Sequence, residues 1–325
     1  MRIFVLGATG HLGQAVVRHA LARGYKVTAA TRQADPPALR GLRVRIVQVN
    51  GECSRLREVS ARHDVLVDAA APYPLEPCLM GSASWRAAVE AAVSRTTRVV
   101  EAAQLNGARL AFISSFTTLP RQESAMAAME SAWRRSVFPY FEAKAAMERV
   151  VVEAAREGLP AVIVNPAACL GPWEFRGENS SLVRLVLARR LPLMMDRTLS
   201  VIDVRDVASA IDAALKRELF GRPISLAGHN LTLVELARQI LELDGRGGSP
   251  IAVNASVASM AAFWTALSYA AWNQATPDPW RAVPIAADGF AMDPSPEQIS
   301  LGLKFFSLHE TLRDAVCFHL NWWPA

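Results

Sequence analysis

The sequence predicts an α/β fold, a doubly wound parallel sheet with a smaller, mostly helical lobe on its C-terminal side. Three observations predict it. Short β-branched runs alternate with longer helical patterns through the first half of the chain. A glycine triplet, Gly7, Gly10 and Gly13, falls between the first such run and the first helical pattern. After about residue 166 helical periodicity takes over, with proline-rich connections.

The first element, "RIFVLG", reads as a buried strand. A glycine motif follows it directly and no cleavage site is present, which sets it apart from a signal peptide. The loop "GATGHLG" gives each glycine a task. Gly7 permits the tight turn, Gly10 lets backbone approach a pyrophosphate, and Gly13 lets the next helix pack close to the sheet with its positive end at the phosphates. That helix is "HLGQAVVRHALARG", with Gly24 as its stop. The second strand, "KVTAATR", carries Arg32 at its tip. An acid at that place takes a free ribose 2′-hydroxyl, whereas a planar guanidinium suits a 2′-phosphate; Asp35 lies past the ribose. The expected cofactor is therefore NADP(H) in preference to NAD(H).

"VRIVQVN", "DVLVDAAA", "RLAFISS" and "PAVIVNP" follow as further strands. Two alanine-rich helices, "SWRAAVEAAVSRTTRVVEAAQLNG" and "YFEAKAAMERVVVEAAREG", lie between the later ones. Near-continuous apolar strands separated by helices argue for a parallel sheet covered on both faces, with its ligand beyond the carboxyl ends of the strands. The expected division is a Rossmann-like, NADP-binding domain over 1–165 and a substrate-binding lobe over 166–325. "LSVIDVRDVASAIDAAL" is expected to return to the first domain near 198–222. The lobe holds "SLVRLVLARRLPLMM", "TLVELARQILELDG" and an apolar helix near 260, all read as helical.

The bulk numbers exclude several functions. At 325 residues, 51% hydrophobic and 20% charged, the chain has ample core. A formal charge of +5 and a pI near 9.3 suit an anionic small ligand. No Lys/Arg block or basic–aromatic run is present, so no nucleic acid is expected as partner. Cys53, Cys78, Cys169 and Cys317 lie far apart without CxxC or His–Cys spacing; they read as reduced thiols in the cytoplasm, with no metal. The stretch "VASMAAFWTALSYAAW" (257–272) is shorter than the roughly 20 apolar residues a span needs. It reads as a buried or lid helix, with monotopic membrane contact as the alternative and no transmembrane segment.

In "FPYFEAKAAME" Pro139 opens a helix, and Tyr140 and Lys144 stand four residues apart, neighbours on one face. A phenol titrates near pH ~10, and a cation within ~4–6 Å favours its ionised form. Hydride addition to a ketone needs a group that stabilises the developing alkoxide, and Tyr140 is the candidate. Upstream, the strand-like "AFISSF" ends in two hydroxyls, Ser114 and Ser115.

The glycine loop, "DVLVDAAA", "AFISS", Tyr140-x-x-x-Lys144, "NPAACLGP" and "IDVRDVA" occur in an order that resembles the short-chain dehydrogenase/reductase superfamily. The likeness is to its extended branch, which includes nucleotide-sugar epimerases and dihydroflavonol-reductase-like enzymes, and runs down to "SLHETLRDAV". The resemblance implies that Tyr140 exchanges the proton at a substrate carbonyl or alcohol. Lys144 would hold the nicotinamide ribose and Ser115 the substrate oxygen, with Thr117 beside it. It implies cofactor contacts at Gly7, Thr9, Gly10, His11, Leu12, Gly13, Arg32, Asn50, Ala69, Ala70, Ala71, Lys144 and Pro166. Asn50 stands where the family has an Asp facing adenine, and Ala92 where it has an Asn four residues before a Thr like Thr96. The family's nucleotide-sugar enzymes place an Arg where this chain has Leu199, and Arg197 replaces it only if the loop shifts.

Around the expected pocket stand Pro72, Tyr73, Pro74, Phe116, Thr117, Cys169, Trp173, Met194 and Met195, a lining that suits a largely uncharged substrate. The leading expectation is an NADPH-dependent reductase of a ketone or aldehyde. The alternatives are an epimerase, dehydratase or lyase using transient oxidation with bound cofactor, and a nucleotide-sensing regulator without turnover. The two alanine-rich helices are expected to pair with their copies in a homodimer.

Overall fold

In the computed structural model residues 1–50, 55–72, 74–78, 80–120, 125–175, 181–272, 274 and 278–322 are described. Cys53 and Tyr73, both named above, lie outside them.

Strand β1 (Arg2–Leu6) takes the centre of the main sheet because four of its five residues are apolar and buried on both faces. With β2 (Lys26–Thr31), β3 (Arg45–Gln48), β4 (Val65–Asp68), β5 (Arg109–Ile113), β6 (Ala161–Pro166) and a later strand it forms a seven-stranded sheet. Every pairing is parallel. The chain runs outward from β1 through β2 to β3, then returns to β4 on the other side of β1. The order therefore reverses between β1 and β4, where Leu6 pairs with Asp68, and the crevice that such a reversal opens lies just beyond these two residues.

Helices α1 (His11–Ala22), α2 (Leu56–Val59), α3 (Ala83–Leu105), α4 (Ala125–Val137) and α5 (Tyr140–Arg156) fill the connections. α3 and α5 pack side by side on one face over Phe4, Leu66, Leu110 and Ile163. On the other face α1 packs against a helix from the C-terminal half. Gly24, at φ +75°, lets the chain leave α1, as its place after the last periodic residue implied.

The second half contains β7 (Ala168–Leu170), α6 (Leu182–Leu187), β8 (Leu193–Met195), β9 (Thr198–Asp203), α7 (Val204–Lys216) and β10 (Pro223–Leu226). It continues through β11 (His229–Thr232), α8 (Leu233–Leu243), β12 (Ile251–Val253), α9 (Ala255–Ala271), α10 (Asp278–Ala287), α11 (Pro296–Ser300) and α12 (Leu308–Trp322). β9 pairs with β7 and β11 in a separate small sheet. α7 then lies on α1, and β10 joins the main sheet beside β6. One carboxylate ties α7 to the first half: Asp212 accepts from Tyr25 Oη (2.9 Å), Lys216 Nζ (2.7 Å) and His19 Nε2 (3.3 Å). Burial pushes this carboxyl up, but the three donors outweigh it and hold it well below the usual carboxylate range.

The lobe is less helical than its sequence pattern. "SLVRLVLARRLPLMM" stops being helical at Leu187, Arg189 turns to φ +52°, and Leu193–Met195 pairs with β12. Pro192 accounts for this, since it has no N–H to donate and disfavours helix at the residue before it.

Beneath the crevice lies a buried ion pair. Arg95 on α3 donates from both Nη atoms to Asp68, at 2.7 and 2.6 Å, and Asp68 also accepts from the Ala70 amide at 3.2 Å. Both side chains are buried, so removing one partner strands the other charge. Arg95→Met is expected to lower the unfolding free energy by about 3–5 kcal/mol. The double variant with Asp68→Leu recovers most of that loss; urea denaturation of both variants reads it.

Candidate functional site

At the first strand–helix turn the backbone is closely fitted. A Cβ on Gly7, which sits at φ +73°, would lie 2.7 Å from Ala69 O, and one on Gly13 would lie 2.0 Å from Gly7 O. Neither position can take a side chain without moving β4 or α1. Gly10 is the N-cap of α1 and brings no side chain to the first amides of the helix. Those amides, with the helix's positive end, are what a dinucleotide's pyrophosphate requires. Thr9, Gly10 and Leu12 are partly exposed along the loop, as are Ala69, Ala70 and Ala71 across from it. His11 is buried and Nε2 donates to Pro172 O at 3.1 Å, fastening the loop to the segment after β7.

Arg32 is exposed just beyond β2, and its carbonyl accepts from Gln48 Nε2 at 3.0 Å. Asp35, three residues on, forms an ion pair with Arg40 at 2.5 Å. Asn50 is exposed two residues beyond β3.

Ser115 ends the β5 run and caps a short 3-10 turn, Phe116–Thr118. Its Oγ accepts from the Thr117 amide (3.2 Å) and Thr117 Oγ1 (2.9 Å). Tyr140 begins α5, directly after its Pro139 N-cap, and its Oη stands 3.5 Å from Ser115 Oγ. That is the outer limit of a hydrogen bond, leaving a substrate oxygen room to accept from both hydroxyls. Lys144, one turn on, is 2% exposed and sends Nζ to the Ile113 and Ser114 carbonyls, each at 3.5 Å. Ser115, Thr117, Tyr140 and Lys144 are thus gathered at the carboxyl end of β5, and Pro166 ends the adjacent β6.

Other residues named from the sequence are dispersed. Phe116 is buried against Phe290, 6.1 Å between ring centroids. Cys169, on β7, donates to Ala167 O at 3.3 Å. Met194 and Met195 are buried in β8 within the core shared by sheet and lobe. Trp173, at φ +71°, lies under the Arg18 guanidinium (4.9 Å). It lines a groove of about 430 Å³ with Arg205 and residues of α12, apart from Ser115. Thr96 Oγ1 donates to Ala92 O at 3.0 Å, so the carbonyl beside the missing Asn side chain is satisfied within the helix.

Three supporting groups escaped the sequence reading. Glu148, one turn beyond Lys144, accepts from Thr118 Oγ1 (2.7 Å), Asn165 Nδ2 (2.6 Å) and Ser114 Oγ. Its signal was available, since 140, 144 and 148 share one helix face. Asp288 is fully buried and accepts from Ser131 Oγ (3.0 Å) and Arg135 Nη2 (3.1 Å). Arg135 in turn donates to Thr117 O at 2.9 Å. Nothing local in the sequence marks Asp288, because its partners lie over 150 positions away. Asp68 with Arg95 is the third.

Fold and site together define an NAD(P)-dependent oxidoreductase-type enzyme of the extended short-chain dehydrogenase/reductase superfamily. Residues 3–226 match the family model described as NAD dependent epimerase/dehydratase family. The chain is 30% identical over 261 residues to "Sterol demethylase protein B" of Methylococcus capsulatus, covering 78% of this chain and 77% of that one. It is 27% identical to a "Putative dihydroflavonol 4-reductase" of Synechocystis sp., over 98% of this chain and 94% of that one. Among solved structures, a nucleoside-diphosphate-sugar epimerase from Pseudomonas aeruginosa superposes with a TM-score of 0.75 at 21% identity, covering 99% and 98% of the two chains. The chain belongs to the NAD dependent epimerase/dehydratase family.

Glu148 gives the site its own stability test. Glu148→Ala strands the hydroxyl and amide donors that now meet one carboxylate, at a cost of about 1–3 kcal/mol. Glu148→Gln keeps one acceptor oxygen and costs less. Urea midpoints of the two variants in one buffer check the order.

Proposed function

We propose that this chain reduces a ketone or aldehyde on a largely apolar small molecule, using NADPH. The observation that carries the reading is the 3.5 Å gap between Tyr140 Oη and Ser115 Oγ, beside the buried Lys144. The glycine loop would hold the pyrophosphate and the ends of β5 and β6 the nicotinamide ribose, and the nicotinamide would supply the hydride for the carbonyl carbon. Ser115 donates a hydrogen bond to the carbonyl oxygen and fixes its position. Tyr140 gives that oxygen its proton, so the carbonyl becomes an alcohol and the phenolate is reprotonated from solvent. The Lys144 ammonium stabilises the phenolate while it lasts and holds the ribose hydroxyls. Thr117, held by Arg135, keeps the Ser115 hydroxyl aimed at the substrate.

The preference for an apolar substrate rests on what surrounds Tyr140. Val137, Phe138 and Phe141 form a buried cluster with it, against which Leu75, Trp133, Phe263 and Ile285 pack. Leu199, buried in the core, offers nothing to a diphosphate, and Arg197 turns its Nε to Gly289 O at 2.7 Å. The two relatives named above refer to a sterol and to a dihydroflavonol, both uncharged ring systems. The exposed Arg32, with Asp35 turned to Arg40, supports NADPH as the donor. Gly7, Thr9, Gly10, His11, Leu12, Gly13, Asn50, Ala69–Ala71 and Pro166 complete the proposed cofactor contacts. A homodimer through α3 and α5, which share one face of the sheet, belongs to the same proposal.

Tryptophan quenching on titration with NADPH and NADH tests the cofactor half. Binding is expected to be tighter for NADPH. Arg32→Ala should weaken NADPH about tenfold or more and leave NADH unchanged, as loss of a charge-assisted hydrogen bond implies. Tyr140→Phe should retain NADPH binding and lose about 10²–10⁴-fold in kcat on an apolar ketone. Equal affinity for the two nucleotides, or a fully active Tyr140→Phe protein, would overturn the respective half.

A further inference from the structure

The apolar helix α9 is apolar on both sides, and only one side is used. Its seventeen residues include no Asp, Glu, Lys or Arg. Inward, Ser259, Ala262 and Ala266 are buried, and Phe263 meets Trp133 edge-on at 5.7 Å, within the cluster that contains Tyr140. Outward, Val257, Met260, Trp264 and Leu267 recur at helical spacing and are all exposed, Trp264 at 58%. Trp272, just beyond the last turn, is 80% exposed. A helix apolar all round belongs in a core or in lipid, and this one is half outside the core.

Exposed apolar side chains also stand on the strands that precede it. β12 leads into α9, and Ile251 of β12 pairs with Leu193 of β8, both exposed. Arg189 and Arg190 are exposed shortly before Leu193, and Arg189 Nη2 donates to Gly247 O at 2.9 Å, beside Arg246. Three guanidiniums thus stand here against the carboxylates of Asp196 and Asp244, on a chain of net charge +5. The face itself offers little polar chemistry to a protein partner. Ser259 and Ser268 donate to carbonyls of the helix, and Ser256 donates to Glu130. Interfaces between proteins carry about one hydrogen bond per 100–200 Å², whereas lipid asks for none. Seventeen residues span about 25 Å, less than the ~30 Å hydrocarbon core, and no helix of the described residues is long and apolar enough to cross a membrane.

We propose that α9 and the adjoining β8–β12 edge seat the protein on an anionic lipid surface. α9 lies in the plane of the headgroups, with Trp264 and the following Trp272 at the interface. An apolar substrate then passes from the bilayer along α9 to Tyr140, whose cluster the same helix lines. The seating rests on the exposed apolar face and the neighbouring guanidiniums; the delivery of substrate rests on the reductase reading.

Co-sedimentation of the full chain with phosphatidylcholine vesicles, with and without phosphatidylglycerol, tests this. The protein is expected to pellet with the anionic vesicles, more weakly with neutral ones and less at high salt, with a blue shift of tryptophan emission. Trp264→Glu/Leu267→Glu should weaken vesicle binding about tenfold or more, with NADPH affinity and reduction of a small water-soluble aldehyde unchanged. Trp272→Glu serves if the double variant fails to fold. The proposal is overturned if the wild-type chain leaves both vesicle types unbound, or if the variants bind as well as wild type. It is also overturned if the substitutions instead convert a dimer to a monomer, which would assign the face to a second copy. Vesicle binding lost in the variants, with no carbonyl reduced by any of the proteins, would leave the seating standing and remove the reductase reading.

Discussion

Helix α5 has to sit at one axial height on the sheet for Tyr140 and Lys144 to reach the same strand ends. Two contacts set that height. The Lys144 ammonium lies against the last carbonyls of β5, and Glu148 collects hydroxyl and amide donors from β5, the following turn and β6. Sliding α5 by one residue would turn its reactive face by about 100° and break both. The position of Tyr140 opposite Ser115 follows from this fastening, and the proposed carbonyl chemistry depends on that position.

The same logic explains where lobe and sheet meet. Asp288 comes from the end of α10, yet it holds Arg135 on α4, which holds the Thr117 carbonyl. A residue of the second half is thereby linked, through Arg135, to the turn that carries Ser115 and Thr117. Arg135 is paired with the buried Asp288, and Arg197 Nε donates to the Gly289 carbonyl. The buried cluster on the other side of Tyr140 is aromatic and aliphatic, and Phe263 of α9 packs against it.

The first-half strands, the glycine turn and the Tyr140–Lys144 pair were legible because their signals are local. Parallel strands buried on both faces read as unbroken apolar runs, and side chains four apart on a helix are neighbours whatever surrounds them. β8 was misread as helix because an apolar run of that length fits either period, and Pro192 decides between them. Asp68 with Arg95, and Asp288 with Arg135, were illegible for a different reason. A buried ion pair between distant positions leaves no periodic trace, and each member alone resembles a surface charge. Trp173 shows the limit of reading a lining from composition, since its backbone conformation aims the ring at Arg18 and α12.

Net hydride transfer to a carbonyl, as opposed to transient oxidation on a retained cofactor, is the central claim. It is tested most directly with NADPH deuterated at the reactive face of C4 and an apolar ring ketone, following the label by mass spectrometry. One deuterium on the new carbinol carbon and one NADP released per alcohol formed are the expected result. Unlabelled product, or turnover of an alcohol substrate to an isomer or an eliminated product without net change in nicotinamide, would contradict it.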